Sequence, residues 1–278
     1  MSGAVLVTGA STGIGEATAR RLLQHGFEVF AGVRKEADAE RLRSAGATPV
    51  TIDVTESGSI TAAASQVGEQ LGDDGGLAGL VNNAGATLPG PIEFVPLDDL
   101  RRQFEVNTFG QVAVTQAFMP LLRRATGRIV FVASIGARTA LPFIGPYAGS
   151  KAAISSLADS LRQELAPSGM RVSVVEPGTV ATPIWEKGDD SVKHVVDSLP
   201  ADGREHYARS LEQANETVLK LARRGIKPDR VARVIEKALT SSRPRTHYLV
   251  GDAWLQYPLS RLLPDRVFDR VVARQLGI

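Results

Sequence analysis

Short apolar runs alternate with longer segments of helical periodicity along most of this chain. Runs of strand length lie at 4–8, 27–33, 48–52, 77–81, 128–133, 171–175 and 247–250, and helical patterns at 37–45, 60–71, 97–124, 147–165 and 228–239 fall between them. Strands separated by 10–15-residue helical patterns need crossover connections. They therefore assemble into a parallel sheet with helices on both faces. This predicts an α/β chain with a doubly wound parallel sheet of about seven strands. No repeat, linker or low-complexity segment divides it, so the expectation is one domain over 278 residues. The segment 97–124 is broken near Asn107 to Gly110 and reads as two helices or one kinked helix. The segment 184–227 reads as a polar, irregular and partly helical insert, and 254–278 as a tail.

The first strand runs into Thr8-Gly9-Ala10-Ser11-Thr12-Gly13-Ile14-Gly15, and a helix pattern follows. A strand, a glycine-rich turn and a helix start together make an anion site. Glycine lets backbone approach the ligand, and the first helical amides and the helix dipole attract phosphate. The spacing is G-x-x-x-G-x-G rather than G-x-G-x-x-G, and no Gly-Lys-Ser/Thr of a P-loop follows. Gly9, Asp53 and Asn83 all follow strand ends, so all can face the crevice at the carboxyl edge of the sheet.

The second strand ends Val33-Arg34-Lys35. An acid near this point normally bonds the ribose 2′-hydroxyl of a dinucleotide. Here a guanidinium stands in its place, and it matches a phosphate in bidentate fashion. The expectation is NADP(H) in preference to NAD(H), against which Glu36 and Asp38 weigh locally.

Tyr147 and Lys151 stand four residues apart at the head of a helical pattern, so their side chains share one face. An ammonium beside a phenol favours the phenolate and lowers a pKa that is ordinarily about 10. A tyrosine tuned in this way can protonate a carbonyl oxygen or deprotonate an alcohol. Alone, the pattern is shared with many solvated helices. Asn107 is a polar residue inside an apolar stretch, as expected of a buried or functional amide.

Taken together, Thr8-Gly9-xxx-Gly13-x-Gly15, Asn82-Asn83-Ala84-Gly85, Asn107, Ser134, Tyr147-xxx-Lys151 and Pro177-Gly178-xxx-Thr182 resemble the classical short-chain dehydrogenase/reductase family. The motifs occur in the family's order over about residues 3–250, with Ser134 13 residues before Tyr147. The resemblance implies a Rossmann-type fold and hydride transfer between a nicotinamide cofactor and an alcohol or ketone. It makes Tyr147 the proton donor or acceptor, and Ser134 a hydrogen-bond donor to the substrate oxygen. Lys151 lowers the tyrosine pKa and binds the nicotinamide ribose, and Asn107 holds a proton-relay water. Gly9, Ile14 and Gly15 approach the pyrophosphate, with Ser11, Thr12 and Gly13 completing the loop. Asp53 and Val54 contact the adenine, and Asn83, Ala84 and Gly85 the adenosine ribose side. Pro177, Gly178, Val180 and Thr182 line the nicotinamide. Arg34 fits the family's NADP users, while Thr12 departs from them where many carry a second cation. The resemblance also implies a homodimer or homotetramer through the helices at 111–125 and 147–165, and a substrate lid at 184–227.

Composition excludes several classes. The 32 Lys and Arg nearly balance 30 Asp and Glu, without a long run of one sign, so no nucleic-acid footprint is expected. With no cysteine there is no disulfide framework or thiolate metal site, and the four histidines form no metal-ligand spacing. No basic leader or transmembrane run is read, and the expected location is the cytoplasm. Ile135, Leu141, Pro142, Phe143, Ile144, Ile184 and Trp185 flank the catalytic positions. If they line the pocket, the substrate is a small apolar alcohol or carbonyl compound. The tail mixes Leu262, Leu263, Val267, Phe268, Val271 and Val272 with Arg261, Arg266, Arg270 and Arg274. It can cover the pocket, pack on a neighbouring subunit or touch a membrane surface, and packing on protein is the expectation. Two rival readings are a catalytically idle NADP-binding sensor or scaffold, and an epimerase or dehydratase with the same Tyr and Lys.

Overall fold

The computed structural model describes residues 3–278, apart from the side chains at positions 186–191, 256, 259 and 261, so Arg261 of the tail lies outside the described side chains. Seven strands form one parallel sheet in the order β3-β2-β1-β4-β5-β6-β7. They are β1 (Ala4–Val7), β2 (Glu28–Val33), β3 (Thr48–Thr51), β4 (Leu77–Asn82), β5 (Arg128–Val132), β6 (Arg171–Pro177) and β7 (His247–Val250). The chain reverses its direction of travel across the sheet between β1 and β4. Crevices that bind ligands open at such a switch point, outside the carboxyl ends of the strands.

Side chains alternate across the sheet because successive Cβ atoms point to opposite faces. Leu6 joins Val114, Phe118, Leu122 and Ile154 on one face. Val5 and Val7 join Ala19, Leu22, Val231 and Ile235 on the other. The first face is covered by α3 (Ser57–Leu71), α5 (Gly110–Arg124) and α6 (Gly145–Leu165). The second is covered by α1 (Gly13–Gln24), α2 (Glu36–Ser44) and α9 (Pro228–Thr240). The near-continuous apolar character of the strands follows from burial on both faces.

Three segments gain detail beyond their sequence reading, and the first keeps the two helices expected there. The stretch at 97–124 is helical throughout, with a π-helical turn, Glu105–Phe109, between α4 (Leu97–Phe104) and α5. Asn107 and Thr108 sit in that turn, fully or almost fully buried. The extra residue of a π turn re-aims their side chains toward α6. The insert at 184–227 is not irregular. It forms α7 (Ile184–Ser198) and α8 (Ala201–Arg223), and α8 buries Leu211, Ala214 and Ala222 along one face. The tail folds into α10 (Ala253–Leu262) and α11 (Asp265–Leu276), and Val272 and Leu276 of α11 pack on Ala214 of α8. That contact is within the chain rather than with a neighbouring subunit. Among the described residues no helix is long and apolar enough to cross a membrane.

Candidate active site

The turn after β1 is closed by contacts that only glycine permits. Gly9 has φ +63°, and a Cβ there would lie 2.8 Å from the Ala84 Cα. A Cβ on Gly15 would meet the Gly9 carbonyl at 2.2 Å. The loop is pinned to the end of β4 from both sides. Asn83 Nδ2 donates to the carbonyls of Thr8 (3.0 Å) and Gly9 (3.1 Å), and the Asn83 and Ala84 amides donate to Thr8 Oγ1 at 3.0 and 3.1 Å. Thr12 caps α1 in extended conformation without a side-chain bond to the first amides. Those amides remain available to an anion, as in other phosphate-binding helix starts. Across the crevice, a Cβ on Gly13 would touch Thr182 Cγ2 at 3.1 Å, so the segments that follow β1 and β6 meet here.

At the end of β2, Arg34 is largely exposed, with a guanidinium nitrogen 3.8 Å from the Asp53 carboxylate. Burial pushes the Asp53 carboxyl up, but hydrogen bonds from Thr55 and the charges of Arg34 and Arg102 hold it below its usual range. Val54 is buried in the core behind it. Sequence reasoning missed Arg41. From α2 it reaches the Ser11 carbonyl in the glycine-rich turn and pairs with Glu16 (2.6 Å) and Asp38 (3.2 Å). It stands 29 residues beyond Thr12, and only the packing of α2 beside the turn reveals it.

Asn107, Ser134, Tyr147 and Lys151 converge between β4, β5 and α6. Tyr147 stands beside Ser134, since a Cβ on Gly136 would meet Ser134 Oγ at 3.4 Å and the Tyr147 ring at 3.6 Å, and Ser134 Oγ accepts from the Gly136 amide at 3.1 Å. Lys151 Nζ donates to the Val132 carbonyl at 2.8 Å and lies 6.0 Å from the centre of the Tyr147 ring. Asn107 Nδ2 donates to the Ala86 carbonyl (2.9 Å) and Ser150 Oγ (3.0 Å), while its Oδ1 accepts from the Ala86 amide at 2.8 Å. A Cβ on Gly85 would meet Asn107 Oδ1 at 3.3 Å and Lys151 Nζ at 3.4 Å, so the Asn-Asn-Ala-Gly segment has no side chain where these two groups approach.

The electrostatics differ from the sequence expectation in one respect. Burial pushes the Tyr147 phenol above its ordinary pKa, and the neighbouring Ser134 side chain offsets this only in part. Burial also lowers the Lys151 ammonium to about 8. Both groups are driven toward their neutral forms because desolvation acts on each. A lowered tyrosine pKa therefore does not follow from this pair of residues by itself.

At the end of β6, the side chain of Val180 joins the core and its carbonyl accepts from Trp185 Nε1 at 2.7 Å. Asp252 braces the same loop, accepting from the Thr179 amide (2.7 Å) and hydroxyl (2.9 Å). A Cβ on Gly178 would fall 1.8 Å from Asp252 Oδ1, so glycine is required beside Pro177. A second cluster, also missed in the sequence, lies behind Ser134. Arg138 Nε donates to the fully buried Glu176 at 2.6 Å. His247 Nδ1 lies 3.0 Å from the other Glu176 oxygen, and its Nε2 lies 3.1 Å from Asp159. Of the residues read as pocket lining, Leu141 and Phe143 instead pack against Ala214, Val272 and Leu276. Phe143 has φ +66°, a conformation held by the Gly90 amide donating to its carbonyl at 2.7 Å.

A sheet with its switch point at a glycine turn, and a Ser-Tyr-Lys-Asn cluster one strand away, defines a dinucleotide-binding oxidoreductase architecture. The short chain dehydrogenase family profile matches residues 3–193. The chain is 31% identical to an NADPH-dependent 3-dehydrocapnine reductase from Ornithobacterium rhinotracheale, covering 98% of this chain and 96% of that protein. It is 36% identical to mouse retinol dehydrogenase 5, over 96% of this chain and 87% of the relative. Its fold matches a short chain dehydrogenase from Burkholderia cenocepacia solved with NADP, with TM-score 0.73 and 26% identity over 100% and 98% of the two chains. The chain belongs to the short chain dehydrogenase family of oxidoreductases. The family's nicotinamide cofactor fits this site, because the Cβ-free cradle at Gly9 and Gly15 admits backbone-close phosphate and the α1 amides have no side-chain cap.

Proposed function

We propose that this chain transfers hydride between NADP(H) and a small hydrophobic alcohol or ketone, with Tyr147 exchanging the proton. The observation that carries the reading is the convergence of Ser134 and Tyr147, whose side chains would both touch a Cβ on Gly136 (3.4 and 3.6 Å), with Lys151 Nζ 6.0 Å from the tyrosine ring. The bound nicotinamide supplies or accepts the hydride. In reduction, negative charge builds on the carbonyl oxygen, and the hydroxyls of Ser134 and Tyr147 are positioned to donate to it. Tyr147 then gives up its proton to that oxygen, and Lys151, with Asn107 beside it, relays a replacement proton from solvent to the tyrosine. In oxidation the same groups run in reverse. The amides after Gly9, Ser11, Thr12, Gly13, Ile14 and Gly15 would hold the pyrophosphate. Asp53 and Val54 would take the adenine, Asn83, Ala84 and Gly85 the adenosine ribose, and Lys151 and Tyr147 the nicotinamide ribose. Pro177, Gly178, Val180 and Thr182 would form the nicotinamide wall.

Preference for NADP over NAD is supported by Arg34 and by Arg41 at the Ser11 carbonyl, which supplies the second cation that Thr12 does not. An apolar substrate is supported by a cavity of about 530 Å³ between the loop after β4 and α7, lined by Leu88, Pro89, Phe94, Val95, Val195 and Leu199 among others. None of the catalytic side chains lines that cavity, so it suits the distal part of an extended substrate rather than its reacting carbon. The retinol dehydrogenase relative points the same way. Exposed Phe109 and Leu157, beside α5 and on α6, support assembly with a second copy across those helices. A cysteine-free composition fits the cytoplasm.

The test is a fluorescence titration with NADPH and NADH. NADPH should bind at least tenfold tighter, and Arg34→Ala or Arg41→Ala should weaken NADPH while leaving NADH nearly unchanged. Equal losses for both cofactors would reject the 2′-phosphate assignment. Bound cofactor without turnover of any apolar ketone or alcohol would leave the sensor reading.

A further inference from the structure

Eleven large hydrophobic side chains are recorded as exposed among the described residues. Six of them lie in the last 25 positions: Trp254, Leu255, Leu262, Val267, Val271 and Ile278. Trp254 is 68%, Leu255 75% and Leu262 81% exposed, values that a helix packed on its own domain does not produce along one stretch.

The second helix of the pair sorts its residues by face. At 100° per residue, Phe268, Val272 and Leu276 fall on one side, and this side packs on α8. Asp265 and Asp269 fall beside that side, and both line the cleft at Arg138. The opposite arc holds Arg266, Arg270 and Arg274, spaced i, i+4 and i+8, followed directly by Val267 and Val271. None of the three arginines forms an ion pair among the described residues. The helix therefore keeps its exposed acids along the cleft edge and sends a basic stripe, edged by valine, to the other side. Next to it in the chain stands the exposed Trp254, Leu255 and Leu262 of α10.

We propose that α10 and α11 dock on the surface of an anionic lipid bilayer. The chemistry of the face fits that partner: arginines for lipid phosphates, valines and leucines for the acyl boundary, and a tryptophan for the headgroup level. An acidic protein would satisfy the arginines but not three aliphatic or aromatic side chains exposed by two thirds or more. A second copy of this chain would bring like charges together, since the same arginines would face one another across a two-fold axis. The sequence reading favoured packing on protein for this tail. The structure spends only one face of α11 on that packing and leaves the basic and apolar face uncovered.

Sedimentation of the full chain with vesicles tests this. One set is phosphatidylcholine alone, and the other contains about one third phosphatidylglycerol. The protein should pellet with the anionic vesicles and not with the neutral ones. Binding should fall steeply between 0.05 M and 1 M salt, because the screening length shortens to about 3 Å. Each arginine near an anionic surface is worth about fivefold in partition. The variant with Arg266→Glu, Arg270→Glu and Arg274→Glu should thus lose at least a hundredfold. Trp254→Ala with Leu262→Ser should weaken binding without altering its salt dependence. Unchanged NADPH affinity in both variants would show that they fold. No pelleting with anionic vesicles, equal pelleting with neutral ones, or full binding by the charge-reversed variant would each overturn the proposal. A concentration-dependent dimer abolished by Leu262→Ser, without vesicle binding, would assign the face to a second copy and overturn it too.

Discussion

Lys151 is fully buried, and burial lowers its pKa from 10.5 to about 8. This shift has a thermodynamic consequence that is separable from catalysis. Between pH 8 and 10.5 the folded protein has released this proton while the unfolded chain still holds it. The unfolded state therefore binds more protons, and stability rises with pH across that window at about 1.4 kcal/mol per unit. Over the full shift the gain is about 3 kcal/mol. At neutral pH the charged lysine stays buried at that cost, which its hydrogen bond to the Val132 carbonyl only partly offsets. Other groups also titrate above pH 8, so the useful quantity is a difference. Urea unfolding of the cofactor-free wild type and of Lys151→Met should be compared at pH 7, 8, 9 and 10. Wild type should gain on the variant by about 2–3 kcal/mol from pH 8 to 10, with little change between 7 and 8. Tyr147, with its raised pKa, acts only above pH 10 and is present in both proteins. A pH-independent difference would refute the idea that desolvation dominates at this lysine.

Tyr147→Phe should leave NADPH affinity within a few-fold and abolish turnover of any substrate found; normal turnover would end the proposed mechanism. Arg138→Met leaves Glu176 buried without its guanidinium partner, and unfolding in denaturant should show a loss of about 3–5 kcal/mol. His247 is raised above its ordinary pKa, first by the Glu176 hydrogen bond, against the opposing effect of burial, and further by Asp159. A raised histidine pKa contributes stability that is fully present below about pH 6.5 and is lost as pH climbs through the folded value. Arg138, the cation facing His247, opposes that charge at 2.7 Å without reversing the shift. Wild type should therefore lose stability relative to His247→Asn on going from pH 6 to 8, and parallel curves would reject it.

The sequence alone determined the layered α/β architecture, because the alternation of apolar strands with helical periodicity has few other solutions. It also located the glycine turn and the Tyr147–Lys151 pair, which sit at a strand end and a helix start with strong local signals, whereas Asn107 and Ser134 were read through the order of the motifs as a set. The insert at 184–227 was harder to read. Its helices are amphipathic on faces defined by each other and by the tail, and that environment is not local. Arg41, and the Arg138–Glu176–His247–Asp159 cluster, lie tens of residues from their partners, and no spacing rule links them. The tyrosine pKa belongs to the same class. Four-residue spacing brings Tyr147 and Lys151 to one helix face, but how deeply α6 sinks against the sheet decides whether attraction or desolvation wins. Sequence thus determined which groups meet, through periodicities that are properties of the backbone. Tertiary packing decided their burial, and with it their charge states and the faces left open to solvent.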